Sequence, residues 1–256
     1  MKVAVVTGAS SGIGEATARE LTRRGWRCVL VARRRERLEP LAAELGGEAE
    51  VCDVSDRADV ERAAAAILRR HPRIGLLVLN AGIPGRADFF TLEPERIEAV
   101  LKTNYLGCVW CARAFEPGLQ TGAHVVTVVS VAGTVAFAPA GPYAASKHAQ
   151  LAFSRSLTGL LAPRGVRVHT VLPGFVETEG FPQRTVLRSD FFRRLIIRPE
   201  LVATRIANAV ESGKRELFVP RWYRLFAVAQ ALVPGLVARL VARSGYRRDY
   251  KPTYSD

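Results

Sequence analysis

The sequence predicts a doubly wound α/β domain: one parallel sheet of seven strands, helices on both faces, and a helical C-terminal extension. Three observations carry this. Short runs rich in β-branched residues alternate with amphipathic segments of helical period. The strand runs are nearly continuous in apolar residues, as in Val125-Val126-Thr127-Val128-Val129, which suits a sheet covered on both faces. No Ser/Gly/Pro-rich linker divides the alternation, so one domain over 1–220 and an extension over 221–256 are expected.

In chain order, the first strand (3–7) is Val-Ala-Val-Val-Thr and runs into a glycine turn, with a helix over 13–24 behind it. Strand two (27–32) precedes a helical pattern over 35–45. Strand three (49–53) precedes one over 56–71, for which Ser55 or Asp56 is a fitting N-cap. Strand four covers 75–80, and a long helical pattern follows over 94–118. Then come strand five (123–130), a helix over 143–162, strand six (166–171), a helix over 199–212 and strand seven (216–219). Strand-helix alternation of this kind implies right-handed crossovers.

Composition narrows the function classes. Of 256 residues 48% are hydrophobic, enough for a sizeable core, which excludes a disordered chain. There is no internal repeat of solenoid length. The net charge is +13, of which +9 lies after residue 180. Charge alone would suggest nucleic acid, but no aromatic-basic recognition motif accompanies it, so no nucleic-acid partner is expected. The apolar run after Met1-Lys2 reads as a strand entering a turn, not an export signal. Cys28, Cys52, Cys108 and Cys111 read as reduced thiols of a cytoplasmic protein. Cys108-Val-Trp-Cys111 is formally a CxxC, but nothing completes a metal site, and no metal is expected. His124, His148 and His169 are scattered without partner spacing and read as structural or surface residues.

The first strand ends in Thr7-Gly8-Ala9-Ser10-Ser11-Gly12-Ile13-Gly14. Glycines between a strand and a helix let backbone approach a pyrophosphate, while the helix N-terminus supplies N–H donors. Gly8, Ser10, Ser11, Gly12, Ile13 and Gly14 are therefore candidate cofactor contacts. In dinucleotide-binding Rossmann folds an acidic residue after the second strand holds the ribose 2′-OH. Here that strand continues into Arg33-Arg34-Arg35. A guanidinium pairs with a 2′-phosphate, so NADP(H) is the expected cofactor, with Arg33 the first candidate and Arg34 in support. Cations at a helix start are otherwise unfavourable, a local conflict that phosphate binding explains. Asp53-Val54 ends strand three where an adenine would lie, and Asn80-Ala81-Gly82 ends strand four near the adenosine ribose.

Tyr143-Ala144-Ala145-Ser146-Lys147 places a phenol and an ammonium four apart on one helix face. A free tyrosine titrates near ~10, and a neighbouring cation favours the phenolate. Ser130 closes strand five, at the sheet end where substrates of doubly wound folds bind.

With these motifs the chain resembles the classical short-chain dehydrogenases/reductases of NADP-preferring type. The match spans roughly 1–220 and rests on TGASSGIG at 7–14, Asp53-Val54, NAG at 80–82, Asn104, Ser130, YxxSK at 143–147, and Pro173-Gly174 through Thr178. The resemblance implies that Tyr143 is the general acid in reduction and base in oxidation. It implies that Lys147 lowers the tyrosine's pKa and binds the nicotinamide ribose, and that Ser130 holds the substrate oxygen. Asn104 would hold a water of the proton relay, and Pro173, Gly174, Val176 and Thr178 would orient the nicotinamide. The implied reaction is hydride transfer between nicotinamide and a small-molecule ketone, aldehyde or secondary alcohol. A 3-oxoacyl thioester is the rival substrate, and a non-catalytic NADP-binding regulator the rival function. The intact Ser130/Tyr143/Lys147 set argues against the latter. A homodimer or homotetramer is also implied.

Residues 180–198 fall where that family places a substrate lid, and they mix Phe181, Phe191, Phe192, Leu195, Ile196 and Ile197 with arginines. An apolar lid suggests a lipophilic substrate. From Leu217 to Arg248 there is no acidic residue. Residues 221–233 and 236–243 read as two short amphipathic helices broken at Pro234-Gly235. Apolar faces edged by arginine suit peripheral contact with an anionic membrane through 221–248. They equally suit packing against a neighbouring subunit or closing the substrate pocket.

Overall fold

The computed structural model describes residues 2–85, 89–90, 92–136, 141–179 and 195–243. Its strands are β1 (Val3–Thr7), β2 (Arg27–Ala32), β3 (Glu48–Val51), β4 (Ile74–Leu79), β5 (Leu119–Val128), β6 (Arg167–Pro173) and β7 (Glu216–Val219). All pair in parallel, in the order β3-β2-β1-β4-β5-β6-β7. The order reverses between β1 and β4, so the loops at their C-terminal ends splay apart and leave a crevice.

The helices are α1 (Gly12–Arg23), α2 (Arg35–Glu44), α3 (Arg57–Arg70), α4 (Pro94–Leu101), α5 (Gly107–Phe115), α6 (Gly141–Leu161), α7 (Pro199–Ser212), α8 (Arg224–Leu232) and α9 (Pro234–Arg243). Alternate strand residues serve opposite layers. Val3 and Val5 of β1 pack with Ile67 of α3, Phe115 of α5 and Leu157 of α6. Ala4 and Val6 pack with Leu21 of α1, Leu38 of α2 and Ile206 of α7. The central strands β1, β2 and β4 are buried on both faces, which explains why their sequences lack polar alternates. Asp56 caps α3, accepting from the N–H groups of Ala58 and Asp59.

Two expectations change. The single helix over 94–118 is interrupted by a π turn at Lys102–Leu106. A π turn carries an extra residue and shifts the helical phase, and it aims Asn104 inward, fully buried. Strand five begins earlier, at Leu119, because Leu119 pairs with Ile74 before the register shifts to pair His124 with Leu76. Among the described residues no single helix is long and apolar enough to cross a membrane.

Candidate active site

The crevice is stitched at its base by Thr7 and Asn80. Thr7 Oγ1 donates to the Val78 carbonyl and accepts from the backbone N–H groups of Asn80 and Ala81 at 3.0 and 3.1 Å. Asn80 Nδ2 donates to the carbonyls of Thr7 and Gly8 at 3.0 and 3.3 Å. Asn80 thus fixes the end of β4 to the glycine turn. Gly12 turns with φ +58°, and a Cβ on Gly14 would lie 2.1 Å from the Gly8 carbonyl oxygen, a contact no side chain can make. Ser11 stands at the N-cap of α1 without capping it. Its hydroxyl instead accepts from Arg34 Nη2 at 2.7 Å. The first turn of α1 therefore keeps donors that the cap does not use, as an anion site requires.

Arg34 also donates to Ser10 Oγ from Nε at 3.3 Å and Nη2 at 3.1 Å. Arg33 lies apart, 3.6 Å from Asp53 and 62% exposed. The structure thus sets Arg34, not Arg33, over the turn serines. Two partners were invisible in the sequence. Arg37, one helical turn on, grips Glu179 with both nitrogens, one bond being 2.7 Å, and Glu179 also meets Arg34 at 3.5 Å. The Arg37 pairing holds the Glu179 carboxyl below its ordinary range. Asp53 accepts from the N–H and hydroxyl of Ser55, and Val54 is buried beneath the crevice.

On α6, Tyr143 and Lys147 are both buried, and Lys147 Nζ lies 5.7 Å from the centroid of the tyrosine ring. Lys147 Nζ donates to the Val128 carbonyl at 3.2 Å and to Gln150 Oε1 at 2.7 Å. Burial pushes its pKa down to about 8. Its partners are neutral, so no carboxylate cancels its charge towards the tyrosine. Asn104 Nδ2 donates to the Ile83 carbonyl and to Ser146 Oγ, and its Oδ1 accepts from the Ile83 N–H at 2.7 Å. Ser146 in turn donates to the Tyr143 carbonyl at 2.7 Å. A Cβ at Gly82 would sit 3.2 Å from Asn104 Oδ1 and 3.7 Å from Lys147 Nζ, so the two polar groups meet at that glycine. Ser130 Oγ accepts from the Ala132 N–H at 3.1 Å and reaches the Pro173 carbonyl at 3.4 Å, linking the ends of β5 and β6.

The loop after β6 closes the other side. Thr178 packs on the turn, where a Cβ at Gly12 would lie 2.9 Å from its methyl. Val176 bridges to Ile197, with the Ile197 N–H donating to the Phe175 carbonyl at 2.9 Å. Tyr223 seals the loop from below: a Cβ at Gly174 would lie 2.3 Å from its ring. Burial pushes the pKa of its hydroxyl up to about 12, against a smaller opposing effect of the Phe175 backbone. An uncapped helix start, a guanidinium over two serines and a buried lysine lie along one crevice, and together they fit a phosphorylated dinucleotide. Of the expected lid at 180–198, residues 180–194 lie outside the described residues.

Two of the histidines are structural, as expected, and they are paired with each other. His124 Nδ1 lies 2.9 Å from His169 Nε2, and His169 Nδ1 faces the Lys214 carbonyl at 2.7 Å. That carbonyl requires a proton on His169 Nδ1, so His124 donates in the neutral pair. Sheet register brings these residues together from neighbouring strands, which chain spacing alone does not reveal. All four cysteines are free and buried, and burial pushes Cys108 up to about 11 and Cys52 to about 12, so neither is a ready nucleophile. No His/Cys/Asp/Glu cluster among the described residues could hold a metal. Gln150 was missed by sequence reasoning, although its position three residues after Lys147 on the same face was the available signal.

A phosphate turn at the switch point of a parallel sheet, with a Tyr/Lys pair at the same sheet edge, defines a nucleotide-dependent oxidoreductase. Residues 2–185 match the family model described as short chain dehydrogenase. The chain belongs to that family and is an oxidoreductase. It is 44% identical over 180 residues to an uncharacterized oxidoreductase of Mycobacterium tuberculosis (strain ATCC 25618 / H37Rv), covering 70% of each chain. It is 31% identical over 243 residues to estradiol 17-beta-dehydrogenase 11 of Mus musculus, covering 91% of this chain and 80% of the relative. A putative ketoacyl reductase of Streptomyces coelicolor is 34% identical over 225 residues, covering 83% of this chain and 84% of the relative. Among solved structures, a variant of actinorhodin polyketide ketoreductase with NADPH superposes with TM-score 0.77 at 29% identity, covering 85% of this chain and 95% of that one. An alcohol dehydrogenase from Thermococcus sibiricus complexed with 5-hydroxy-NADP gives 0.74 at the same identity and coverage.

Proposed function

We propose that the protein is an NADP(H)-dependent oxidoreductase that interconverts a lipophilic ketone or aldehyde with its alcohol. The observation that carries this is the buried Lys147 beside Tyr143, held by neutral partners only. Bound nicotinamide supplies or accepts the hydride. The chain's own residues do the rest. Arg34, with Ser10 and Ser11, recognises the 2′-phosphate. Tyr143 donates a proton to the substrate oxygen in reduction and takes it back in oxidation. Lys147 stabilises the phenolate form by its charge. Ser130 holds the substrate oxygen at the end of β5. Asn104 and Ser146 pin the start of α6 to the loop after β4, which keeps the tyrosine in place.

A second reading, reduction of a 3-oxoacyl thioester, is supported by the names of the ketoacyl reductase relatives. A turnover screen with NADPH and NADH over aldehydes, ketosteroids, quinones and 3-oxoacyl thioesters tests both readings. The proposal expects NADPH oxidation with apolar carbonyls; thioester-only turnover favours the second reading, and no turnover with any carbonyl rejects both.

A further inference from the structure

The extension beyond β7 buries little. No residue of α8 is buried. Leu225 and Leu232 are 70% and 76% exposed, and Phe226, Leu236 and Leu240 about half exposed. Single exposed apolar residues are ordinary, but these are contiguous along two helices. Helices of 9 and 10 residues are marginal in water by themselves, so they need a surface to rest on.

Charge decides which surface. Arg221, Arg224 and Arg239 are exposed and form no ion pair among the described residues. Elsewhere Arg19, Arg24, Arg62 and Arg70 each hold a carboxylate. No acidic residue occurs between Leu217 and Arg248 to neutralise the tail. A second copy seated symmetrically would bring the same unpaired arginines together. Closing the tail over its own substrate pocket would desolvate them without partners. An anionic lipid surface accepts both features, leucines at the acyl boundary and arginines at the phosphates. The two helices are bent by 115° at the proline break, so they form two short arms and not one rod of spanning length. Trp222, stacked on Tyr223 at 4.0 Å, is the kind of side chain that sits at headgroup level. Tyr223 is the buried anchor, packed on Gly174 and edge-on to Phe175 at 6.3 Å. The exposed arms are therefore fixed beside the loop that follows β6, at the catalytic end of the sheet.

We propose that α8 and α9, with Trp222, dock on an anionic bilayer and hold the mouth of the site against it, so that an apolar carbonyl compound enters from lipid. The route of entry rests on the functional reading above; the docking does not.

The test is flotation of the full chain with vesicles of phosphatidylcholine alone or with about a third phosphatidylserine. Co-flotation with the anionic vesicles is expected, weakening as salt rises. Replacing Arg221, Arg224 and Arg239 by serine should weaken partitioning roughly fivefold each, on the order of a hundredfold together. The double variant Leu232→Asp/Leu236→Asp should lose flotation while its NADPH binding and its turnover of a small water-soluble aldehyde stay within about twofold of native. Failure of the native chain to float with anionic vesicles overturns the proposal, as does undiminished flotation of the double variant. A halved solution mass for that variant, with no lipid binding by the native chain, would make the face a contact between copies. Absence of carbonyl turnover in a chain that still floats would reject the functional reading and leave the docking standing.

Discussion

Replacing Arg34 by alanine should separate NADPH from NADH binding. Arg34 makes three hydrogen bonds to Ser10 and Ser11, which hold its guanidinium over the glycine turn. A charge-assisted pair with phosphate is worth about 1.5–3 kcal/mol. The side chain is 40% exposed, so solvent screening favours the lower part of that range, about 2 kcal/mol. That corresponds to a roughly 30-fold rise in Kd for NADPH. NADH, lacking the phosphate, should lose no more than about threefold. Isothermal titration with each cofactor reads both numbers. Arg33→Ala is the control: at 62% exposure and 3.6 Å from Asp53, it should cost NADPH binding less than about fivefold. An equal loss for both cofactors, or a larger effect at Arg33, would refute the assignment. Glu179→Gln carries the opposite sign. Its carboxylate competes with phosphate for Arg34 and Arg37, so NADPH should bind about threefold tighter.

Three further outcomes follow from the geometry. Because burial lowers the Lys147 pKa to about 8, kcat/KM for carbonyl reduction should fall above that pH as the ammonium is lost; a flat profile to pH 9.5 contradicts its role. Burial also lowers the His124 pKa to about 4. The unfolded chain binds that proton first, so stability is full above about pH 6.5 and falls as pH drops towards 4. For this half-buried ring the loss is about 1–2 kcal/mol, measurable as the part of the acid slope in urea midpoints that His124→Phe removes. Gly14→Ala should abolish cofactor binding, since its Cβ meets the Gly8 carbonyl at 2.1 Å, whereas Gly159→Ala, with open space around it on α6, should stabilise by about 0.5–1 kcal/mol in thermal melts.

The sheet was legible because its central strands are apolar on both sides and the strands alternate with helical patterns. The glycine turn and the Tyr143/Lys147 pair were legible because backbone approach and a shared helix face are local constraints. What escaped depends on distant parts of the chain. The π turn that buries Asn104 has no composition of its own within an otherwise helical pattern. Arg33, Arg34 and Arg37 are chemically alike, and only the position of the turn serines tells them apart. Glu179 lies 142 residues from Arg37, and His124 lies 45 from His169, so neither pairing has a spacing to read. Tyr223 looked like part of an amphipathic tail, whereas the absence of a side chain on Gly174 makes it the floor of the loop after β6.

The central claim is that Tyr143 moves the proton and Lys147 enables it. Stopped-flow oxidation of bound NADPH, native against Tyr143→Phe, tests it most directly. The account predicts that the variant binds NADPH with a Kd within about threefold of native and loses carbonyl turnover by at least about a thousandfold. Turnover within about tenfold of native would show that another group supplies the proton and would contradict the account.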